Sequence, residues 1–240
     1  MNQAENLIIN GTGSYPGGDY QKVSIRGEGT IANDVNCSAF HVYGTGETLE
    51  NIRAGSVKIM GEAEFKGNIA ADKTLVMGSM TVDRQAKLTK MKILGELSVG
   101  EHLSGDTADI KGSLTVDGDV EYESFVSSGA FEIKGLLTAE AIKLSLSFST
   151  SKAEEIGGGK ITVKRGAWLI PFTNIPLSKK EGFLSAKTIE GDEIYLENTT
   201  AEVVRGNVVK IGPGCHIGLV EYSTELKQSA DSTIKESIKR

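Results

Sequence analysis

Seven glycines, Gly27, Gly44, Gly61, Gly78, Gly95, Gly112 and Gly129, stand seventeen residues apart without an insertion. The columns around them keep the same beat. Two residues before each glycine stand Ile25, Val42, Ile59, Val76, Ile93 and Ile110, and only Ser127 breaks the column. Four residues after stand Ile31, Thr48, Phe65, Val82, Val99, Val116 and Ile133. Within a copy such as KILGELSV (92–99), Ile93, Leu97 and Val99 alternate with Lys92, Glu96 and Ser98. That is the period of a half-buried strand, and β-branched residues dominate the apolar columns as strands prefer. A seventeen-residue unit is too short for a propeller blade and has no helix segment for a leucine-rich repeat. It fits one turn of a parallel β-helix, an all-β solenoid of about 17 residues per turn with roughly three short strands and three corners, stacked on its neighbours.

The repeated glycine has two readings. It serves a corner with positive φ, or it makes room for a bulky neighbour. The column two residues after it favours the second: Gly29, Gly46, Ala63, Met80, Leu97, Leu114 and Phe131 grow in size along the chain. On that reading Gly95→Val overpacks the core.

Past residue 142 the register is lost. LSLSFS (144–149) still alternates, EEIGGGK reads as a break, and KRGAWLIPFTNIPLSKKEG (164–182) holds the only tryptophan. A pattern returns with a shorter interval: Ile189, Gly191, Ile194 and Leu196 are echoed fifteen residues on by Val204, Gly206, Val209 and Ile211. The expected organisation is an N-terminal segment and first capping turn (1–22), regular turns (23–156), an irregular insertion loop (157–186), closing turns (187–222) and a disordered polar tail (223–240). Within the insertion, Trp168, Leu169, Ile170 and Phe172 lie between Lys164, Arg165, Lys179 and Lys180. They pack as a loop against the solenoid, or contact an anionic membrane or a protein partner.

No chemistry stands out. The net charge of −6 disfavours nucleic-acid binding. Cys37 and Cys215 form no motif, and with no basic, apolar leader at the N-terminus they suit a reducing compartment. His41, His102 and His216 lack metal-ligand spacing and read as solvent-facing. No phosphate loop or nucleophile elbow is present, so no catalytic, cofactor-binding or metal-binding residue is expected, and no cofactor. IGPGCHIG (211–218) gives one local match to the six-residue beat of acyltransferase β-helices, with His216 beside it; this enzymatic reading ranks below the others.

The I-x-G-x-L-x-V unit, seen as Ile93, Gly95, Leu97, Val99 and as Ile110, Gly112, Leu114, Val116, resembles the bactofilins, bacterial polymer-forming cytoskeletal proteins. Segment 189–222 is similar to the closing region of longer Gram-positive members. The resemblance implies a right-handed β-helix that polymerises end to end without nucleotide. It also implies a cytoplasmic scaffold at the inner face of the cell membrane, in cell shape, envelope growth or motility, with a paralogous bactofilin as a further polymer partner. The expected polymerisation ends are Ile8, Ile9, Ile25 and Ile31 on one side and Ile217, Leu219 and Val220 on the other. The alternative is a non-polymerising adaptor that docks a membrane or protein through residues 164–182.

Overall fold

The structure, a computed structural model, describes residues 5–147, 149–166 and 182–240. Among these residues it is all-β and forms a parallel β-solenoid, divided into two compact units, Met1–Val120 and Glu121–Arg240.

The first unit holds β1 (Asn6–Ile9), β2 (Thr12–Tyr15), β3 (Gly18–Ile25), β4 (Glu28–Ile31), β5 (Val35–Val42), β6 (Thr45–Thr48), β7 (Ile52–Ile59), β8 (Glu62–Phe65), β9 (Ile69–Val76), β10 (Ser79–Val82), β11 (Ala86–Ile93), β12 (Glu96–Val99), β13 (Leu103–Ser104), β14 (Thr107–Ile110) and β15 (Ser113–Val116). A regular turn is an eight-residue strand, a two-residue corner, a four-residue strand and a three-residue corner. From β3 to β12 each strand pairs in parallel with the chain seventeen residues on, as in Ile59↔Val76 and Val82↔Val99, whereas β1 and β2 pair sixteen residues on, as in Ile9↔Ile25 and Thr12↔Glu28. The third corner lies inside the eight-residue strand. In β11, Ala86, Leu88, Met91 and Ile93 are buried while Thr89 and Lys90 both face outward. Two successive outward residues shift the phase of the alternation, so the strand bends there; the ladder skips Thr89 and resumes in the same register, Leu88↔Ala71 before the bend and Lys90↔Lys73 after it.

The core is the set of columns read from the sequence. Ile25, Val42, Ile59, Val76, Ile93 and Ile110 are fully buried, and Phe40 packs on Phe65 with ring centroids 5.8 Å apart. In the column of rising size, Gly29 and Gly46 do make room: a Cβ on Gly29 would lie 2.9 Å from Ile9 Cδ1, and one on Gly46 2.9 Å from Ile25 Cδ1.

The seventeen-spaced glycines follow a different rule, which corrects both expectations for them. They are half-exposed corner residues, not core residues, and none has positive φ; among glycines that conformation occurs at Gly18 and Gly214. What excludes a side chain is the backbone of the preceding turn. A Cβ on Gly95 would lie 2.0 Å from the carbonyl oxygen of Gly78 and 2.5 Å from that of Met77.

The second unit contains β16 (Val120–Ser127), β17 (Ala130–Leu146), β18 (Thr150–Arg165), β19 (Phe183–Leu196), β20 (Thr199–Ile211), β21 (His216–Gln228) and β22 (Thr233–Lys239). Its turns are long strands that bend, and the interval between paired residues varies, as in Ile142↔Ile161, Ile189↔Val204 and Ile217↔Ile234. Three expected boundaries change. EEIGGGK is no break but part of β18, where Gly158, Gly191 and Gly206 stack in register as a second glycine column. The extra chain expected over 157–186 is confined between Arg165 and Phe183, because Ile161↔Ile194 and Ser151↔Leu184 keep the ladder on both sides. The expected disordered tail over 223–240 is overturned: β22 pairs with β21 from His216↔Thr233 to Tyr222↔Lys239. A terminal rung of a solenoid has few apolar neighbours, so its composition reads as solvated tail although its backbone pairs with β21 along one side.

Candidate functional site

Two strand edges dominate the functional geometry, one in each unit. In the first unit β1 pairs with β3, through Asn6↔Lys22 to Ile9↔Ile25, and among the described residues no second strand flanks it. In the second unit β22 pairs with β21 and likewise has no second described neighbour. An edge of this kind presents a row of backbone N–H and C=O groups to any further strand.

The residues expected at the ends are placed unevenly. Ile8 is exposed, at 53%, on the edge strand β1. Ile9, Ile25 and Ile31 are completely buried, and Ile25 and Ile31 lie one rung further in. At the other end, Ile217 and Val220 are buried and Leu219 is half-buried, because β22 covers them: Ile217 faces Ile234, Leu219 faces Glu236 and Val220 faces Ser237. The terminal rung there is Thr233–Lys239, not 217–220. Charging Val220 would therefore place an ion in the core rather than at an interface.

The C-terminal rung is held by charge. Glu221 is buried and accepts from Arg205 Nε and Arg240 Nη2, both at 2.5 Å. The Arg205 hydrogen bond, with Arg240 beside it, keeps the Glu221 carboxyl below the usual carboxylate range. Sequence reading missed this cluster because Arg240 sits nineteen residues from Glu221, which matches neither the seventeen-residue nor the fifteen-residue interval legible in the sequence.

A ladder along one corner of the first unit was also missed. Asp34 Oδ1 accepts from Asn51 N (2.9 Å) and Nδ2 (3.1 Å). Asn51 Oδ1 accepts from Asn68 N (3.0 Å) and Nδ2 (3.1 Å), and Asn68 Oδ1 from Gln85 N (3.2 Å). His102 continues the column, its Nδ1 accepting from Asp119 N at 3.2 Å. The signal was available: Asp34, Asn51, Asn68, Gln85, His102 and Asp119 are spaced by seventeen, like the glycines. The side chains of Asp34, Asn51, Asn68 and His102 each satisfy the backbone N–H of the next turn's corner, where the strand ladder is interrupted.

Reactive groups are quenched or dispersed. Burial pushes the Cys37 thiol up to about 11 and raises that of Cys215, whose Sγ donates to Leu196 O at 3.3 Å. Tyr195 donates to Glu197 at 2.5 Å, and that bond pushes its hydroxyl up to about 12. His41 is not solvent-facing as expected; it is half-buried, with Nδ1 lacking a hydrogen bond, and burial together with Lys22 and Lys58 lowers its pKa. His216 is exposed, its rung neighbours being Thr200 and Thr233. Outward carboxylates are bridged to lysines across rungs, as in Lys160–Glu193 at 2.6 Å and the Lys187–Glu154 pair. Among the described residues no group of three His, Cys, Asp or Glu side chains could hold a metal ion, and no helix is long and apolar enough to cross a membrane. Trp168, Leu169, Ile170 and Phe172 lie outside the described residues.

No family model and no solved structure matches the chain. It is 41% identical over 239 residues to the uncharacterized protein YhbE of Bacillus subtilis strain 168, a match covering the whole of both chains. It is 50% identical over 105 residues to the uncharacterized protein YhbF of the same organism, covering 44% of this chain and less than half, 42%, of YhbF.

Proposed function

We propose that this chain, which belongs to the YhbE family, is a cytoskeletal scaffold that polymerises end to end without nucleotide, in the manner of the bactofilins it resembles. The observation that carries the reading is the edge rung of the first unit. β1 offers an unshared ladder, Ile8 is exposed on it, and Gly11 heads the glycine column. From Gly27 to Gly112, every glycine of that column is demanded by the backbone of the turn beneath; Gly27 already stacks on the carbonyl of Gly11, 2.4 Å from where its own Cβ would be. Gly11 has no described atom within 4 Å of its would-be Cβ. A turn supplied by another molecule gives Gly11 the neighbour that the rest of the column has.

The rung at the other edge, TIKESIK, carries Lys235, Glu236 and Lys239, so the two edges differ in chemistry. Unlike edges meeting head to tail make a heterologous contact, which does not close and so grows a filament. Burial and strand pairing drive such growth without a nucleotide. The polymer works in the cytoplasm at the inner face of the cell membrane, in cell shape, envelope growth or flagellar assembly, with a paralogue as a second subunit; these roles come from the bactofilin resemblance.

The test is negative-stain electron microscopy in nucleotide-free buffer. The wild type forms filaments. Gly11→Ala keeps the far-UV spectrum and melting temperature of the wild type, since the added methyl meets no atom within 4 Å among the described residues, yet forms short or no filaments. Ile8→Lys behaves likewise. Single particles from the wild type, or filaments of wild-type length from both variants, would sink the proposal.

A further inference from the structure

One corner of the first unit carries a file of exposed apolar side chains. Tyr43, Met60, Met77 and Leu94 each precede a column glycine, on four consecutive turns, and are 43%, 43%, 44% and 41% exposed. Their backbones stack directly: Met60 N donates to Val42 O, Met77 N to Ile59 O and Leu94 N to Val76 O, at 2.7–2.8 Å. At a rung spacing of about 4.8 Å the ridge is roughly 14 Å long. Arg26 and Lys111 occupy the same column on the turns before and after, so the apolar file ends in a cation on each side.

The strands on either side of the ridge carry opposite charge. Those that lead into the corner bring Lys58 (β7), Lys73 (β9), Lys90 and Lys92 (β11), and in their last four residues no acid. Those that leave it bring Glu47 (β6), Glu62 and Glu64 (β8) and Glu96 (β12), and no base. Part of this charge is used within the chain. Lys92 lies 3.6 Å from Asp109, Glu64 pairs with Lys66, and Glu47 accepts from Thr30 Oγ1 at 3.2 Å. Lys58, Lys90, Glu62 and Glu96 have no ion-pair partner among the described residues.

We propose that this ridge is a seam at which two copies of the chain pair side by side, parallel and in register. A two-fold axis along the stacking direction sets corner against corner and lays the leading strands of one copy over the leaving strands of the other. Lys58 of one copy then faces Glu62 of the second copy, and Lys90 faces Glu96, at both sides of the apolar file. Antiparallel pairing about a perpendicular axis would set lysine flank against lysine flank, which like-charge repulsion disfavours. The same acidic flank, immediately beside the ridge, argues against an anionic membrane as the occupant. Methionines at the centre suit a self-contact, since their unbranched chains repack readily.

The ridge residues offer on the order of 350 Å² of surface per copy, short of the roughly 800 Å² per side of a standard stable interface. The pair is therefore weak between single chains and strengthened where several chains align. The proposal does not depend on end-to-end growth, and its test separates the two. In a parallel two-fold seam each ridge residue meets its own counterpart. Single variants Met60→Cys and Met77→Cys, oxidised with copper phenanthroline, should each give a disulfide-linked pair of twice the 25.5 kDa chain mass. The rate should exceed that of Gln85→Cys, an exposed position on another corner, by about tenfold or more, and Glu62→Lys with Glu96→Lys should remove the excess. Gly11→Ala, which blocks end contacts, should leave cross-linking by Met60→Cys intact. The seam is refuted if both ridge cysteines cross-link no faster than Gln85→Cys. It is also refuted if Met60→Cys links only to Met77→Cys in a mixture, the antiparallel outcome, or if phosphatidylglycerol vesicles alone shield the ridge cysteines from maleimide.

Discussion

Replacing Gly95 by alanine isolates the force that fixes the repeat. The new Cβ would sit 2.0 Å from Gly78 O, 2.5 Å from Met77 O and 2.7 Å from the Met77 carbonyl carbon. A tolerable C···O contact is about 3.3 Å, so the corner must lift by roughly 1.3 Å from the turn beneath. That movement stretches two hydrogen bonds, Glu96 N to Gly78 O at 2.9 Å and Gly95 N to Val76 O at 3.1 Å, beyond useful length. With strain passed to the Ser113 N to Gly95 O bond on the next turn (2.9 Å), two or three bonds at about 1 kcal/mol each are weakened. Against this, alanine stiffens the unfolded chain by about 0.4–1 kcal/mol, because Gly95 does not have positive φ. The clash wins, leaving a net loss of about 2 kcal/mol, or a thermal midpoint lower by about 4–8 °C for a chain of this size. Circular dichroism melts of wild type, Gly95→Ala, Gly95→Val and Gly11→Ala under non-assembling conditions decide it. Gly11→Ala, in the same column with no described atom within 4 Å of the added methyl, should stay within about 0.5 kcal/mol of wild type. If crowding of the core were the cause, valine would cost far more than alanine. An unchanged midpoint for Gly95→Ala would refute the backbone-contact argument outright.

Two further outcomes follow from buried groups. A thiol raised to about 11, as at Cys37, is about one-thousandth thiolate at pH 8, against about a quarter for an ordinary cysteine. Native protein should therefore leave Ellman's reagent nearly unreacted until denaturant exposes Cys37 and Cys215; fast labelling of the folded protein would show that these sites are open. Glu221 has a folded pKa held below its unfolded value, so its share of stability is present above the ordinary carboxylate range and lost as pH falls through the folded value. Hydrogen exchange of β22 should accelerate below about pH 4, and Glu221→Gln should bring part of that acceleration to pH 7, with β5–β12 unaffected. Equal β22 protection in the variant would mean that the Arg205–Glu221–Arg240 cluster does not hold the rung.

The sequence by itself determined the turn length, the inward columns and the strand character of the first unit. In a solenoid each residue's neighbours are its equivalents one turn away, so a contact pattern repeated in space is also repeated in the chain. Ile59, Val76 and Ile93 announce their burial, and Asp34, Asn51, Asn68 and Gln85 would have announced their ladder to the same count. Tertiary structure decided what alternation does not encode. Hydropathy reports which side chains leave water; it is blind to backbone approaching backbone, which is what Gly95 answers to, and to charge, which binds Arg240 to Glu221. Thr233–Lys239 reads as a tail because a last rung has one neighbour to bury against, yet its hydrogen bonds need only the strand beside it. Leu219 and Val220 looked terminal for the same reason, and only the rung laid over them put the edge elsewhere.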